Sequence, residues 1–90
     1  MDLQTVLRPG SSVTARQLGD EMILLDLDTG VYFGLNEVGA DIWLGISRGD
    51  SLEEVVGAIV NKYEVDRDRS ASDVLNLAAT LLERGLVDRG

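Results

Sequence analysis

The chain carries 16 acidic and 8 basic residues, with no His and no Cys. Catalysis would therefore rest on carboxylates, Lys, Tyr or Ser, because the commonest general base and metal ligand is missing and neither a thiolate zinc site nor a disulfide framework can form. Acid–base work needs paired carboxylates held in an apolar pocket. Here Asp and Glu fall at caps, turns and wet faces, so no enzyme, metal or cofactor is expected. What the sequence offers instead is backbone. Val31-Tyr32-Phe33-Gly34-Leu35 is an aromatic and β-branched run that follows a tight turn, Asp28-Thr29-Gly30, and leads directly into Asn36, a helix cap. A strand that enters a helix through one capping residue is the last of its sheet. It reads as an edge, with a row of backbone N–H and C=O groups open to pairing.

Composition bounds the partners. Ninety residues with 44% apolar content make one folded domain, 1–90, with a modest core. A formal net charge of −8 repels phosphate backbones and attracts basic peptides or protein patches, chiefly by faster association. Neither a basic segment followed by an apolar run nor a stretch of membrane-spanning length is present, so the expectation is a cytoplasmic protein with no membrane and no nucleic-acid partner.

The elements that position the edge are read in order. The pattern of residues 1–11 does not decide between packing and fraying, and loose order is the expectation. Ser12 to Leu18 alternates, Gly19-Asp20 signals a hairpin, and Glu21 to Leu27 is the most continuously apolar run, hence the central strand of a meander that ends at Val31–Leu35. From Asn36 the period becomes helical: Val38, Ile42 and Ile46, with Trp43 beside them, form a first helix that ends near Ser47–Asp50. Trp43 is expected in the core. Ser51-Leu52-Glu53-Glu54 is a capping box, and Leu52, Val55, Val56, Ile59, Val60 and Tyr63 are the apolar face of a second helix. Tyr63 reads as the end of that face. Glu64 to Arg69 is a charged connection, and Ser70 opens a third helix that runs to Arg84, with Gly85 past its end and Leu86-Val87 available as a short strand. The fold class is α+β: a three-stranded antiparallel sheet followed by three helices, arranged as a winged helix-turn-helix.

The third helix is apolar over about half its circumference. Val74, Leu77, Ala78 and Leu81 cover a core arc, and Leu75, Ala79 and Leu82 extend it. A second buried face needs an occupant: the amino-terminal segment, a dimer partner, or a groove formed with Val31–Leu35.

Taken together, Asp28-x-Gly30-x-Tyr32-x-x-Leu35-Asn36, then Ile42-Trp43, then Ser51-Leu52-x-Glu54-Val55, then Asp73-Val74-x-x-Leu77-Ala78-x-x-Leu81-x-x-x-Gly85-Leu86-Val87 resembles the PqqD-like family. That family comprises the peptide chaperone of pyrroloquinoline quinone biosynthesis and the precursor-recognition elements of ribosomal peptide pathways; at this length the chain is similar to the freestanding leader-binding proteins of lasso-peptide clusters. The resemblance implies a leader peptide that adds as an antiparallel strand to the third strand and lies in a cleft with the third helix, the mode called β-augmentation. Val31, Tyr32, Phe33, Gly34 and Leu35 would supply the edge. Leu75, Ala79 and Leu82, with Val74 or Ala78 at the floor, would supply apolar pockets. Asp26, Asp28 and Asp73 flank this groove and have two readings, as partners for basic leader side chains or as turn and helix-start residues. Tyr32 and Phe33 point to opposite faces, so at least one is expected in the core.

The resemblance implies a leader peptidase and a macrocyclase, or another modifying enzyme, as further partners, with the chain acting as a non-catalytic adaptor. The alternative within the family is a peptide chaperone for pyrroloquinoline quinone or another radical-enzyme pathway. A winged-helix DNA regulator is disfavoured, since the second helix offers only Lys62 and the third only Arg84 toward phosphates. An empty edge strand is open to pairing with a second copy, which gives a homodimer in the unliganded state.

Overall fold

Glu21–Asp26 (β3) sits between two partners because its alternate residues can be buried on one face. Met22 and Leu24 are 4% and 0% exposed while Ile23 between them is 39% exposed. The computed structural model describes residues 1–89. Val13–Leu18 (β2) and Tyr32–Leu35 (β4) flank β3 in an antiparallel sheet of order β2-β3-β4, which leaves β4 as an edge as its sequence requires. The β3–β4 turn is fixed by Asp26, whose carboxylate accepts from the backbone N–H groups of Asp28 at 2.9 Å and Thr29 at 3.3 Å. Gly30 completes it at φ +77°, a conformation that costs a side-chain-bearing residue energy. Asp28 accepts from the Ser12 hydroxyl at 2.6 Å and so ties this turn to the start of β2.

Three helices follow: α1 Glu37–Ser47, α2 Leu52–Tyr63 and α3 Arg67–Glu83. Asn36 caps α1 through its side-chain oxygen, which accepts from Gly39 N–H at 2.9 Å. The Ser51–Glu54 box caps α2 as the S-x-x-E spacing predicts, with both reciprocal bonds formed. Third comes Asp66, which accepts from Arg69 N–H at 2.9 Å and starts α3 three residues before Ser70. The expected charged connection from Glu64 to Arg69 is thus helix over its second half, Arg67 to Arg69. Ser70 lies inside α3, fully buried, and its hydroxyl donates to the Val56 carbonyl of α2 at 3.1 Å. A buried Ser satisfied across a helix pair looks like a cap in sequence, which accounts for the difference between the expected and observed start of α3.

The amino-terminal segment corrects the expectation of loose order. Leu7–Pro9 (β1) pairs antiparallel with Val87–Arg89 (β5) in a second, two-stranded sheet, and Leu7 is wholly buried. The carbonyls of Thr5 and Leu3 accept from the N–H groups of Leu52 at 3.0 Å and Glu53 at 2.8 Å. These are donors that the start of a helix leaves unpaired, so residues 3–10 act as a second cap on α2 as well as a strand. Three-residue strands have no periodicity to read, which hid β1.

One core joins these layers. Leu24 of the sheet, Ile42, Trp43 and Ile46 of α1, Leu52, Val55 and Val56 of α2, Val74 and Leu81 of α3, and Leu86 are each buried to 3% exposure or less. Helices α1 and α2 approach so closely that a Cβ on Gly45 would lie 2.8 Å from a Val55 methyl. Their outer ends are joined by Asp41, which accepts from the Tyr63 hydroxyl and pairs with Lys62 at 2.9 Å. Burial pushes the Asp41 carboxyl up, but the Tyr63 hydroxyl and the Lys62 ammonium outweigh it and hold it below its ordinary value. What this cluster adds to stability is therefore present at neutral pH and is lost as pH falls through the lowered Asp41 value.

Helix α2 ends on Glu64 in the left-handed region at φ 54°. That position favours Gly. Glu64→Gly should raise stability by about 0.5–1 kcal/mol in urea unfolding, since relief of the Cβ penalty outweighs the greater freedom of the unfolded chain; a loss of stability would show that the Glu64 side chain makes a compensating contact.

Candidate functional site

The β4 edge has a definite polarity. Asp26 N–H donates to the Val31 carbonyl at 2.8 Å across the β3–β4 pair. Antiparallel ladders alternate between bonded and non-bonded pairs, so Phe33, opposite Leu24, and Leu35, opposite Met22, also turn their backbone groups toward β3. Tyr32 and Gly34 turn theirs away. Their N–H and C=O groups form the free edge, two residues apart, which is the repeat of an incoming strand.

Beside this edge lies an open groove of about 610 Å³. One wall is Phe33, Leu35 and the start of α1, at Asn36, Val38 and Ile42; the other is α3, at Arg69, Asp73 and Leu77. The three α3 residues are spaced four apart and lie on one stripe of the helix. Arg69 and Asp73 pair at 3.8 Å with 74% and 55% exposed side chains, so the pair adds little to stability and is free to exchange for other partners. Phe33 is half-buried, and the Arg84 guanidinium covers its ring at 5.5 Å from the centroid.

The sequence-predicted residues separate into two groups. Phe33, Gly34, Leu35 and Asp73 all line the groove. Tyr32 stands beside it on the outer face of the sheet, 74% exposed, while Val31 belongs to the turn. Val74 and Ala78 are corrected: both are 0% exposed and belong to the core, not to an accessible floor. Leu75 and Leu82 are half-buried against the core and Ala79 is exposed, but none of the three lines the groove. At about 100° per residue they fall well over 90° around α3 from the Asp73–Leu77 stripe. The wide apolar arc was legible; which flank faces β4 was not. Leu77, Arg69, Val38 and Ile42 were missed as wall residues, although the i, i+4 series 69-73-77 around Asp73 was present to be read. Asp73 is also seven residues into α3, so the helix-start reading of it fails. Asp26 and Asp28 have the turn roles described above.

Burial of Phe33 is partial, so Phe33→Ala should cost about 1–2 kcal/mol, below the 3–5 typical of a fully buried Phe. Urea unfolding measures this; a cost near 4 would mean the ring is closed off from the groove.

A family profile described as coenzyme PQQ synthesis protein D (PqqD) matches residues 21–87. The chain belongs to the PqqD family. The matched span holds β3, β4, all three helices and the start of β5, so both walls of the groove fall within it while β1 and β2 lie outside it. Two solved structures resemble this PqqD-family chain over nearly its whole length. TbiB1 in complex with the TbiA(beta) leader peptide is 36% identical with a TM-score of 0.85, covering 90% of this chain and 94% of that one. A lasso peptide synthetase B1 complexed with the leader peptide is 29% identical with a TM-score of 0.84, covering 92% and 98%. No curated protein matches the chain.

Proposed function

We propose that this chain is a non-catalytic adaptor that binds the leader of a ribosomally made precursor peptide by strand addition to β4. The observation that carries the reading is the free Tyr32–Gly34 edge beside a groove walled by Phe33, Leu35, Asp73 and Leu77, in a chain whose solved relatives are complexes with leader peptides. Main-chain bonds to Tyr32 and Gly34 supply affinity, and side chains of the leader that point into the groove supply selectivity. The whole chain, 1–90, acts as one peptide-recognition domain of winged helix-turn-helix form. It delivers the leader to a leader peptidase and a macrocyclase of a lasso-peptide pathway, where tethering raises the effective concentration of substrate without a new active site. Work in the cytoplasm belongs to this reading; no helix among the described residues is long and apolar enough to cross a membrane. With the edge empty, a second copy can pair through β4 until leader displaces it.

DNA binding fits poorly. The formal net charge of −8 repels a phosphate backbone, Lys62 of α2 is paired with Asp41, and Arg67 at the start of α3 is paired with Glu53.

Fluorescence polarisation with a labelled synthetic leader, taken from the precursor gene beside this one, tests the reading against duplex DNA. Saturable leader binding that survives moderate salt is expected, with none to DNA; binding to DNA alone, falling steeply with salt, would overturn it. A leader of the pyrroloquinoline quinone precursor, bound in preference, would move the chain to that pathway. Within the groove, Leu77→Glu should weaken leader binding by about tenfold or more while Ala79→Glu leaves it unchanged, because a buried carboxylate facing apolar leader side chains is costly. The reverse order would move the site to the other flank of α3.

A further inference from the structure

Resting on the strand-addition reading, we infer that leader selectivity has a second component on the opposite face of the sheet: a hole at Gly34 that takes a large apolar or aromatic leader side chain. Gly34 is opposite Ile23 in the register, so the side-chain direction at both is outward; only the Gly34 backbone borders the groove. Gly34 is not held there by conformation, since it is absent from the positive-φ positions of the chain. Nor is it there for lack of room: a Cβ at Gly34 would meet no atom within 4 Å. A glycine in an edge strand weakens the strand and is used where another backbone or side chain comes close. The missing side chain leaves Ile23 39% exposed, and with Leu18, 50% exposed, it opens a depression of about 360 Å³ that runs to the edge. Tyr32, 74% exposed, borders Gly34 on the same face two residues earlier in β4.

Strand geometry says what fills this hole. Gly34 is one of the two residues whose backbone groups face the free side, so the leader residue opposite it is bonded to it directly. Directly opposed residues place their side chains on the same face. That leader residue therefore projects outward, over Gly34 and onto Ile23, while its two neighbours in the leader point into the groove beside α3. A large apolar or aromatic side chain there covers the exposed Ile23 and lies along the Tyr32 ring; a small one leaves both in water. The leader is then read on both faces, by three consecutive residues.

The test pairs a protein variant with a leader scan. Gly34→Val fills the hole with a residue suited to a strand. By fluorescence polarisation with the labelled synthetic leader, it should bind at least about tenfold more weakly than the unaltered protein, and replacement of a single leader residue by Gly should restore affinity to this variant while other replacements do not. Ile23→Ala, which removes the floor of the hole at an exposed position, should weaken binding several-fold and serves if Gly34→Val does not fold. Unchanged affinity in Gly34→Val or in Ile23→Ala, or a loss that no single leader position relieves, overturns the inference while leaving strand addition standing. Failure of the unaltered protein to bind leader overturns both.

Discussion

Gly34→Pro should abolish most leader binding while the domain stays folded. The Gly34 N–H faces away from β3, so a proline there removes no bond from the sheet; prolines are tolerated on edge strands for that reason. It does remove one of the few donors that an added strand would use, and its ring stands where the leader backbone must lie. Loss of a buried interface hydrogen bond of this kind costs about 1–3 kcal/mol, or about 5–150-fold in affinity. Tyr32→Pro, at the first residue of β4, should do the same from the other end of the edge. Circular dichroism reports the fold and fluorescence polarisation the binding. Retention of full affinity in both variants would mean that the leader contacts side chains only and that β4 is not extended. Phe33→Pro is the contrasting variant, since Phe33 turns its backbone toward β3: it should damage the sheet itself.

The largest effect on stability should come from Trp43→Ala. Trp43 is 3% exposed in the single core, on α1, which packs against α2 and β3. Removal of a buried Trp side chain costs about 3–5 kcal/mol, a large share of the total of about 5–15 that holds a domain of this kind together. The urea midpoint should fall by more than about 1 M. Because α1 begins with the Asn36–Ile42 wall of the groove, leader binding should be lost in parallel with folding and should return when saturating leader stabilises the native state. A small change in midpoint would show that neighbouring side chains collapse into the space.

Much of this architecture is legible because local chemistry dictates it. Asn36, Ser51 and Asp66 are capping residues whose side-chain oxygens satisfy the first N–H groups of their helices, and Gly30 stands at the one place in the β3–β4 turn where the backbone must take a positive φ. Hydrophobic period separates β3 from α1 without any knowledge of the fold. The edge position of β4 follows from its direct passage into α1. These are interactions between residues close in sequence, and sequence spacing is enough to find them.

What tertiary structure alone decided is relative placement. Asp66 is the cap of α3 and Ser70 is not, because the Ser70 hydroxyl has a better partner in the Val56 carbonyl of another helix. Leu7 is core rather than tail because Val87–Arg89, nearly the length of the chain away, pairs with Leu7–Pro9. The most consequential choice concerns α3. Its core arc has a flank on either side, and only the docking of α3 against α2 and β5 determines that Leu77 and Asp73 face β4 while Leu75, Ala79 and Leu82 do not. Helical periodicity fixes which residues share a face of one helix; it has no information about what lies across from that face. The sequence by itself therefore determined the elements, the free edge and the family of this chain, and long-range packing determined which side chains line the groove beside it.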